Sequence, residues 1–177
     1  MKKKIVITGG LGYIGTELCK LYSGVSWHHK IVVIDNRFIS ERVNQIRNWN
    51  IQFIQGDILD KNLINKHLKD ADIVHHLAGI TDVPRTKNET SSEKDLLIKE
   101  VGEIGTQNIL DAISDKCKII FPSTHVVYEG IKEIKNNIKE DENTQPVLSY
   151  SSSKAVNEKQ LKKSGKNYVI LRLGSVY

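Results

Sequence analysis

Short apolar runs rich in Val and Ile alternate with longer amphipathic stretches along the chain. The runs at residues 5–7, 31–34 and 118–121 are almost continuously apolar. Parallel strands that are covered on both faces have this pattern. The pattern therefore predicts six strands, at residues 4–8, 30–35, 51–55, 72–77, 118–122 and 168–173.

The stretches between these runs have helix-forming composition and apolar residues three and four positions apart. They predict helices at residues 13–22, 40–49, 61–68, 96–113 and 151–163, although Gly102 and Gly105 weaken the fourth. Two polar segments, residues 81–92 and 129–146, are predicted to be loops. Strands that alternate with helices predict an α/β fold with a doubly wound, Rossmann-type parallel sheet.

Length, charge and cysteine content narrow the class of protein. A chain of 177 residues has the size of one domain, and 39% apolar residues suffice for a core. The net charge of +5 is scattered along the chain, so we expect no nucleic-acid partner. Cys19 and Cys117 lie far apart without a C-x-x-C spacing, and we expect buried reduced thiols and no metal site.

We find neither a membrane-spanning run nor a signal peptide in the sequence, and we therefore expect a cytoplasmic protein with no membrane partner. No apolar run approaches the roughly 20 residues that span a bilayer. Met1 and three lysines lead into a short β-branched run and not into the apolar core of a signal peptide.

A glycine-rich turn follows the first predicted strand and opens the first helix, in the string Thr8-Gly9-Gly10-Leu11-Gly12-Tyr13-Ile14-Gly15. Glycines let the backbone approach a ligand closely, and a helix amino terminus attracts a pyrophosphate. The alternative is an ordinary tight turn, which needs one or two glycines. Four glycines between a strand and a helix favour a dinucleotide site.

Asp35 ends the second predicted strand, 20 residues after Gly15. The dinucleotide fingerprint has an acidic residue at about this distance, where it accepts hydrogen bonds from the adenosine ribose. Its charge repels a 2′-phosphate, so we expect NAD in preference to NADP, with Arg37 close enough to weaken that preference. The alternative is a solvated strand-end carboxylate or a helix cap.

Tyr150 and Lys154 have the i, i+4 spacing that places two side chains on one helix face. A nearby ammonium lowers the pKa of a phenol, so the pair can transfer a proton. The alternative is a solvated helix face. Thr124, just past the fifth strand, could bond a reacting oxygen, or it could make a local turn hydrogen bond. His75 and His76 lack metal-ligand companions.

Together these residues resemble the extended short-chain dehydrogenase/reductase family, in its NAD-dependent nucleotide-sugar epimerase/dehydratase branch, over nearly the whole chain. The glycine turn is similar to the family's T-G-G-x-G-x-x-G, and Tyr150 and Lys154 match its Y-x-x-x-K. Gly56-Asp57-Ile58 resembles the G-D-I/L element, His76-Leu77-Ala78-Gly79 the H-L-A-A stretch, and Val127-Tyr128-Glu129-Gly130 the V-Y-G stretch with Glu129 inserted. Residues 171–177 resemble the motif of strand six.

The resemblance implies NAD as the cofactor and a nucleotide-diphosphate sugar as the substrate. Tyr150, Lys154 and Thr124 would be the catalytic residues. Tyr150 would take a sugar hydroxyl proton, Lys154 would hold the nicotinamide ribose and lower the pKa of Tyr150, and Thr124 would orient the reacting oxygen. The cofactor-binding residues would be Gly9, Gly12, Tyr13, Ile14, Gly15, Asp35, Asn36, Asp57, Ile58, Leu77, Ala78, Gly79, Tyr150 and Lys154.

Departures from the family pattern favour one reaction. The dehydratases of the family have an Asp-Glu pair after the catalytic Thr, where this chain has His125 and Val126. We therefore expect a 4-epimerase, with a keto-sugar reductase or dehydratase as the alternative within the family. A non-catalytic NAD(P)-sensing module is the alternative of another class. A helical Asn and a strand-six Asn of the family are replaced by Gly102 and Ser175.

The family continues beyond the sixth strand into a smaller lobe that closes over the sugar. We expect residues 1–177 to be an NAD-binding Rossmann domain that lacks this C-terminal substrate lobe. Such a chain would bind NAD and have little epimerase activity alone, while the complete protein would be a homodimer.

Overall fold

The computed structural model describes residues 1–81, 91–133 and 135–174. Six parallel strands form one sheet in the order β3-β2-β1-β4-β5-β6. The strands are β1 Lys4–Thr8, β2 Lys30–Asp35, β3 Gln52–Gln55, β4 Ile73–His76, β5 Lys118–Thr124 and β6 Asn167–Leu173. The predicted Rossmann-type sheet is thereby confirmed, with small changes at the strand ends.

Helices connect successive strands and cover both faces of the sheet. The α-helices are α1 Tyr13–Ser23, α2 Ser40–Asn48, α3 Lys61–Leu68, α4 Ser92–Lys99, α5 Gly105–Ala112 and α6 Ser149–Lys163. A π-helical turn, Glu100–Ile104, joins α4 to α5, and a 3₁₀ helix, His125–Tyr128, follows β5. No helix in the described ranges is long and apolar enough to cross a membrane.

The helix predicted at residues 96–113 is longer and less regular than expected. It begins at Ser92, because the Ser91 side chain accepts a hydrogen bond from the Lys94 N–H at 3.2 Å and caps it. The loop predicted at residues 81–92 therefore ends at Ser91. Its residues 82–90 lie outside the described part. Gly102 falls in the π-helical turn, where a Cβ would lie 2.1 Å from the Ser153 hydroxyl of α6.

Two apolar clusters lie on opposite faces of the sheet, because successive residues of a strand point to opposite faces. Ile5 and Ile7 of β1 belong to one cluster, while Val6 belongs to the other. Cys19 and Cys117 are buried free thiols, as predicted, and burial raises the pKa of Cys19 to about 12 and that of Cys117 to about 11. Thiols with such pKa values are not reactive at neutral pH.

A buried ion pair fastens α6 to β6. Arg172 donates from Nε to Glu158 Oε1 at 2.9 Å and from Nη2 to Oε2 at 2.6 Å. Ser123 of β5 donates to the same carboxylate at 2.6 Å. Arg172 also donates to the Tyr128 hydroxyl and to the Glu140 carbonyl. The guanidinium of β6 thus connects α6, the 3₁₀ helix and the loop that precedes α6, while the Glu158 carboxylate adds β5.

Breaking this ion pair should destabilise the fold. Arg172→Met should lower the free energy of unfolding by about 3–5 kcal/mol at neutral pH, because the buried Glu158 carboxylate loses its close charged partner and keeps only Ser123 and the more distant Lys162. Lys162→Met is the matched control, since the exposed Lys162 lies 3.9 Å from the same carboxylate and should change stability by less than about 1 kcal/mol. Denaturant unfolding measures both, and equal losses would contradict the assignment.

The contribution of the pair should also depend on pH. Burial raises the pKa of Glu158, but the bonds from Arg172 and Ser123 outweigh it and leave the pKa below its usual value. A carboxyl whose folded pKa is lowered stabilises the fold above its unfolded pKa, and this stabilisation is lost as pH falls through the folded pKa. The difference between wild type and Arg172→Met should therefore shrink in acid.

A glycine of α1 and the glycine at its C-cap give a second test of the fold. At Gly15 a Cβ would lie 2.5 Å from the Gly9 carbonyl oxygen and 2.6 Å from the Gly10 Cα. Gly15→Ala should therefore cost about 1–3 kcal/mol of stability. At Gly24, which has a φ of −66° and no atom within 4 Å of the added Cβ, Gly24→Ala should stabilise by about 0.4–1 kcal/mol. Thermal unfolding compares them, and equal effects would contradict the packing.

Candidate cofactor and active site

The predicted site residues meet at one edge of the sheet, because the carboxyl ends of parallel strands lie together. The glycine turn follows β1, Asp35 ends β2, Asp57 follows β3 and Thr124 ends β5. The strand order reverses between β1 and β4, and ligands of open α/β sheets bind in the crevice at such a point.

The glycine turn packs backbone against backbone. Gly9 has a φ of +70°, which favours glycine, and a Cβ there would lie 2.6 Å from the Ala78 nitrogen. Its N–H donates to the Ile34 carbonyl at 2.8 Å, and Gly12 N–H donates to the Gly9 carbonyl at 3.0 Å. The first bond holds the turn against the end of β2, and the close packing of Gly9 on Ala78 holds it against the segment after β4.

The amino end of α1 is open at this turn. Gly12 is the N-cap and makes no side-chain hydrogen bond to the helix, whose first turn contains Tyr13, Ile14 and Gly15. Tyr13 is 62% exposed and Ile14 is 39% exposed. N–H groups at an uncapped helix start, with the positive end of the helix dipole, suit a diphosphate.

Asp35 is buried, so the alternative of a solvated carboxylate at this position is wrong. Its Oδ2 accepts from the Leu11 N–H at 3.0 Å. Its Oδ1 accepts from the Arg37 N–H at 3.0 Å and from Arg37 Nε at 3.3 Å. The carboxylate therefore fixes the turn and the exposed Arg37 side chain, and one lone-pair direction is left for a ligand.

Asn36, Asp57 and Ile58 lie beside this carboxylate. Asn36 Nδ2 donates to Asp57 Oδ2 at 3.0 Å, while Asp57 Oδ1 accepts from the Leu59 N–H at 2.9 Å. Ile58 is buried, and its carbonyl accepts from Asn108 at 3.1 Å. Asn36 and Asp57 thus form a polar rim, and Ile58 supports it from the core.

The segment after β4 forms the opposite wall of the crevice. Leu77 N–H donates to the Thr8 carbonyl at 3.0 Å, and Ala78 N–H lies 3.3 Å from the Thr8 hydroxyl oxygen. Leu77 and Ala78 are half-buried and Gly79 is exposed. This wall therefore lies directly across the end of β1.

His76 forms the buried floor below this wall. Its Nδ1 lies 2.9 Å from the Thr8 hydroxyl and its Nε2 lies 3.0 Å from the Thr106 hydroxyl. Burial first, and the Lys154 charge second, lower the pKa of His76 to about 3, so the ring is neutral at pH 7. Within the described ranges, no three His, Cys, Asp or Glu side chains cluster as metal ligands.

Tyr150 and Lys154 are half-buried on α6, so the alternative of a solvated helix face is wrong. Lys154 Nζ donates to the Pro122 carbonyl at 3.0 Å and lies 4.5 Å from the Phe121 ring centroid and 5.9 Å from the Tyr150 centroid. Burial lowers the pKa of Lys154 to about 8. The pair thus lies beside the end of β5.

The structure differs from the expectation that Lys154 lowers the pKa of Tyr150. Burial raises the pKa of Tyr150 above its ordinary value, and the ammonium does not overcome this effect. Lys154 Nζ donates to the Pro122 carbonyl and lies over the Phe121 ring, 5.9 Å from the Tyr150 ring centroid. Desolvation therefore dominates the phenol in this geometry.

Thr124 makes the local hydrogen bond that the sequence left open as the alternative. Its hydroxyl oxygen accepts from the Val126 N–H at 3.3 Å and caps the 3₁₀ helix. This bond uses one lone pair and leaves the hydroxyl proton to be donated. A role in orienting a substrate oxygen stays a prediction.

His125 lines a cavity of about 520 Å³ at the same edge of the sheet. Its Nδ1 lies 3.2 Å from the Leu173 carbonyl, which can only accept, so Nδ1 carries the proton. Ser175 lies outside the described residues.

Sequence reasoning missed the ion pair of Glu158 and Arg172, whose guanidinium lines the same cavity as His125. Glu158 follows Lys154 by four residues and lies on the same helix face, which is a signal that the spacing contained. Its partner Arg172 comes from another strand, so no local pattern pairs them.

A family model and two curated proteins match this chain over most of its length. The model of the NAD dependent epimerase/dehydratase family matches residues 5–177. UDP-N-acetyl-alpha-D-glucosaminuronate decarboxylase of Bacillus cytotoxicus is 37% identical over 72% of this chain and 38% of its own length. UDP-glucose 4-epimerase of Mycoplasma genitalium is 27% identical over 94% of this chain and 49% of its own.

Solved structures show the same architecture. UDP-N-acetylglucosamine 4-epimerase from Methanobrevibacter ruminantium, in complex with UDP-N-acetylmuramic acid, is 31% identical with a TM-score of 0.79, over 97% of this chain and 55% of that chain. UDP-glucuronic acid 4-epimerase from Bacillus cereus, in complex with NAD, is 29% identical with a TM-score of 0.79, over 98% and 56%.

The chain thus spans less than half the length of the curated relatives named here and about half of the solved ones. The family match covers nearly every residue, and the glycine turn, the sheet order and the α6 pair all lie within it. The chain belongs to the NAD-dependent epimerase/dehydratase family.

Proposed function

We propose that this chain binds NAD at the carboxyl edge of its sheet, and that the protein it forms is a 4-epimerase of a nucleotide-diphosphate sugar. The open amino end of α1 supports a pyrophosphate site at Gly9, Gly12 and Gly15. Asp35 supports an adenosine ribose site, and Asn36 with Asp57 supports an adenine site beside it. Ile58, Leu77, Ala78 and Gly79 complete the proposed cofactor walls.

The observation that carries the proposal is the placement of Tyr150 and Lys154 beside the end of β5. Burial lowers the pKa of the Lys154 ammonium to about 8 and raises the pKa of the Tyr150 phenol, so both groups lie in a partly desolvated site. Groups with perturbed pKa values in a crevice are typical of proton transfer. A binding module that only senses NAD needs neither of them.

When bound, NAD supplies a reversible hydride acceptor for the sugar C4. In the proposed reaction Tyr150, as phenolate, accepts the C4 hydroxyl proton and returns it after the sugar has presented its other face. Lys154 would hold the nicotinamide ribose, and its positive charge would oppose the effect of burial, which raises the pKa of Tyr150. Thr124 donates its hydroxyl proton to the reacting oxygen.

Epimerisation is favoured over dehydration because the residues after Thr124 carry no carboxylate. His125 and Val126 occupy these positions, and the His125 Nδ1 proton is directed at the Leu173 carbonyl. Elimination of water needs an acid and a base that this segment does not supply.

A second candidate reaction is supported by the decarboxylase relative, at 37% identity. Oxidation of a nucleotide uronic acid at C4 makes its carboxylate a β-keto acid, which loses CO2. The same Tyr150, Lys154 and Thr124 would perform the oxidation, so release of CO2 distinguishes this reaction from epimerisation.

For the protein as a whole we propose one NAD-binding domain over residues 1–177 and a cytoplasmic homodimer. Exposed apolar side chains on α4 and the π-helical turn, Leu96, Leu97 and Ile104, support a subunit interface there.

The cofactor preference tests the Asp35 assignment. The chain should bind NAD at least about tenfold more tightly than NADP, which corresponds to about 1.4 kcal/mol, because a 2′-phosphate would meet the buried carboxylate. Asp35→Asn should reduce this preference while keeping an acceptor for the Leu11 N–H. Calorimetric titrations measure both affinities, and equal affinities in the wild type would contradict the assignment.

The reaction is tested in the full-length protein with NAD and a panel of nucleotide sugars that includes a uronic acid. The wild type should develop absorbance of bound NADH and form the C4 epimer. Tyr150→Phe should abolish both while cofactor affinity stays nearly unchanged, and Thr124→Ala should slow turnover by roughly 10²–10⁴-fold. Undiminished turnover in Tyr150→Phe would overturn the mechanism.

A further inference from the structure

Glu129 lies in the loop between the 3₁₀ helix and α6, and one of its carboxylate oxygens gathers three donors. Oε1 accepts from the Val147 N–H and from the Leu148 N–H, at 2.7 Å each. It also accepts from the Ser151 hydroxyl. The three donors belong to the segment that begins α6.

The N-cap residue of α6 cannot cap the helix with its own side chain, and its N–H is shared between Glu129 and the Ser151 hydroxyl, which accepts it at 3.2 Å. The N-cap residue is Leu148, whose hydrocarbon side chain cannot accept a hydrogen bond. The negative charge of Glu129 lies at the amino end of the helix, where the helix dipole is positive. A residue 19 positions earlier thus accepts from the N-cap N–H, as the N3 Glu of a capping box does in other helices.

Tyr150 lies between the anchored residues, with Leu148 two positions before it and Ser151 one position after it. One side chain therefore holds the backbone before the phenol and the side chain of the residue after it. Burial raises the pKa of Glu129, but the bonds from Ser151, Leu148 and Val147 outweigh it and leave the pKa below its usual value. The group is ionised at neutral pH and can accept all three bonds.

We infer that Glu129 is a positioning residue for Tyr150, which it holds in its half-buried place by anchoring the first turn of α6 from the preceding loop. The inference rests on the proposed function only in that Tyr150 transfers the proton. The anchoring itself is a property of the chain without cofactor or sugar.

The test compares Glu129→Ala and Glu129→Gln with the wild type and with Glu133→Ala, which removes an exposed carboxylate of the same loop. Hydrogen exchange reports the amides of residues 148–153. NMR of ¹³C-labelled tyrosine, assigned with Tyr150→Phe, reports the titration of the phenol. Gln keeps an acceptor oxygen without the charge, so it separates loss of charge from loss of anchoring.

Exchange at residues 148–153 should rise at least about tenfold in Glu129→Ala, less in Glu129→Gln, and not at all in Glu133→Ala. The pKa of Tyr150 should move towards the ordinary tyrosine value in both variants. The shift should be larger in the Ala variant, because loss of the acceptor oxygen lets more water reach the phenol. Unchanged exchange in Glu129→Ala, or identical Tyr150 titrations in the two variants, would overturn the inference.

A titration of the wild type with NAD accompanies these measurements. Failure to bind NAD would contradict the proposed function while the exchange result still decides the role of Glu129. The two proposals can therefore fail separately.

Discussion

Contact between backbone and backbone at the first turn fixes where the site can lie. A Cβ at Gly9 would stand 2.6 Å from the Ala78 nitrogen, and one at Gly15 would stand 2.5 Å from the Gly9 oxygen. The turn is thereby pressed against the end of β4 and against the start of α1. Because the strand order reverses between β1 and β4, the same contacts place an open helix terminus at the crevice.

The polar interior beneath the crevice leaves the half-buried Lys154 ammonium without a charged neighbour among the groups it contacts. His76 is held between the Thr8 and Thr106 hydroxyls, neither of which carries charge, and burial keeps it neutral. The Lys154 ammonium is received by the Pro122 carbonyl and the Phe121 ring, with no carboxylate in those contacts. Such a charge remains able to stabilise a phenolate or a bound anion, which an ion-paired lysine would do less well.

Local sequence patterns predicted the strands and helices, but they did not predict contacts between residues that are far apart in the chain. The strands were predictable because β-branched runs in a doubly covered sheet need no polar alternation, and the glycine turn because only glycine fits its backbone contacts. The pair Tyr150 and Lys154 followed from helix periodicity. The raised pKa of Tyr150 did not, since burial is a tertiary property. Nor did the Glu158–Arg172 pair or the anchoring by Glu129, whose partners come from other elements.

The proposed site for NAD, at the carboxyl edge of the sheet on the amino end of α1, can be tested on the chain itself. Titration of the ¹⁵N-labelled chain with NAD, followed by amide NMR, tests it most directly. We predict the largest shifts at Gly9, Gly12, Tyr13, Ile14 and Gly15, with none at Trp27 and Lys30 near the opposite edge. Shifts concentrated at that opposite edge, or no shifts at saturating NAD, would contradict the account.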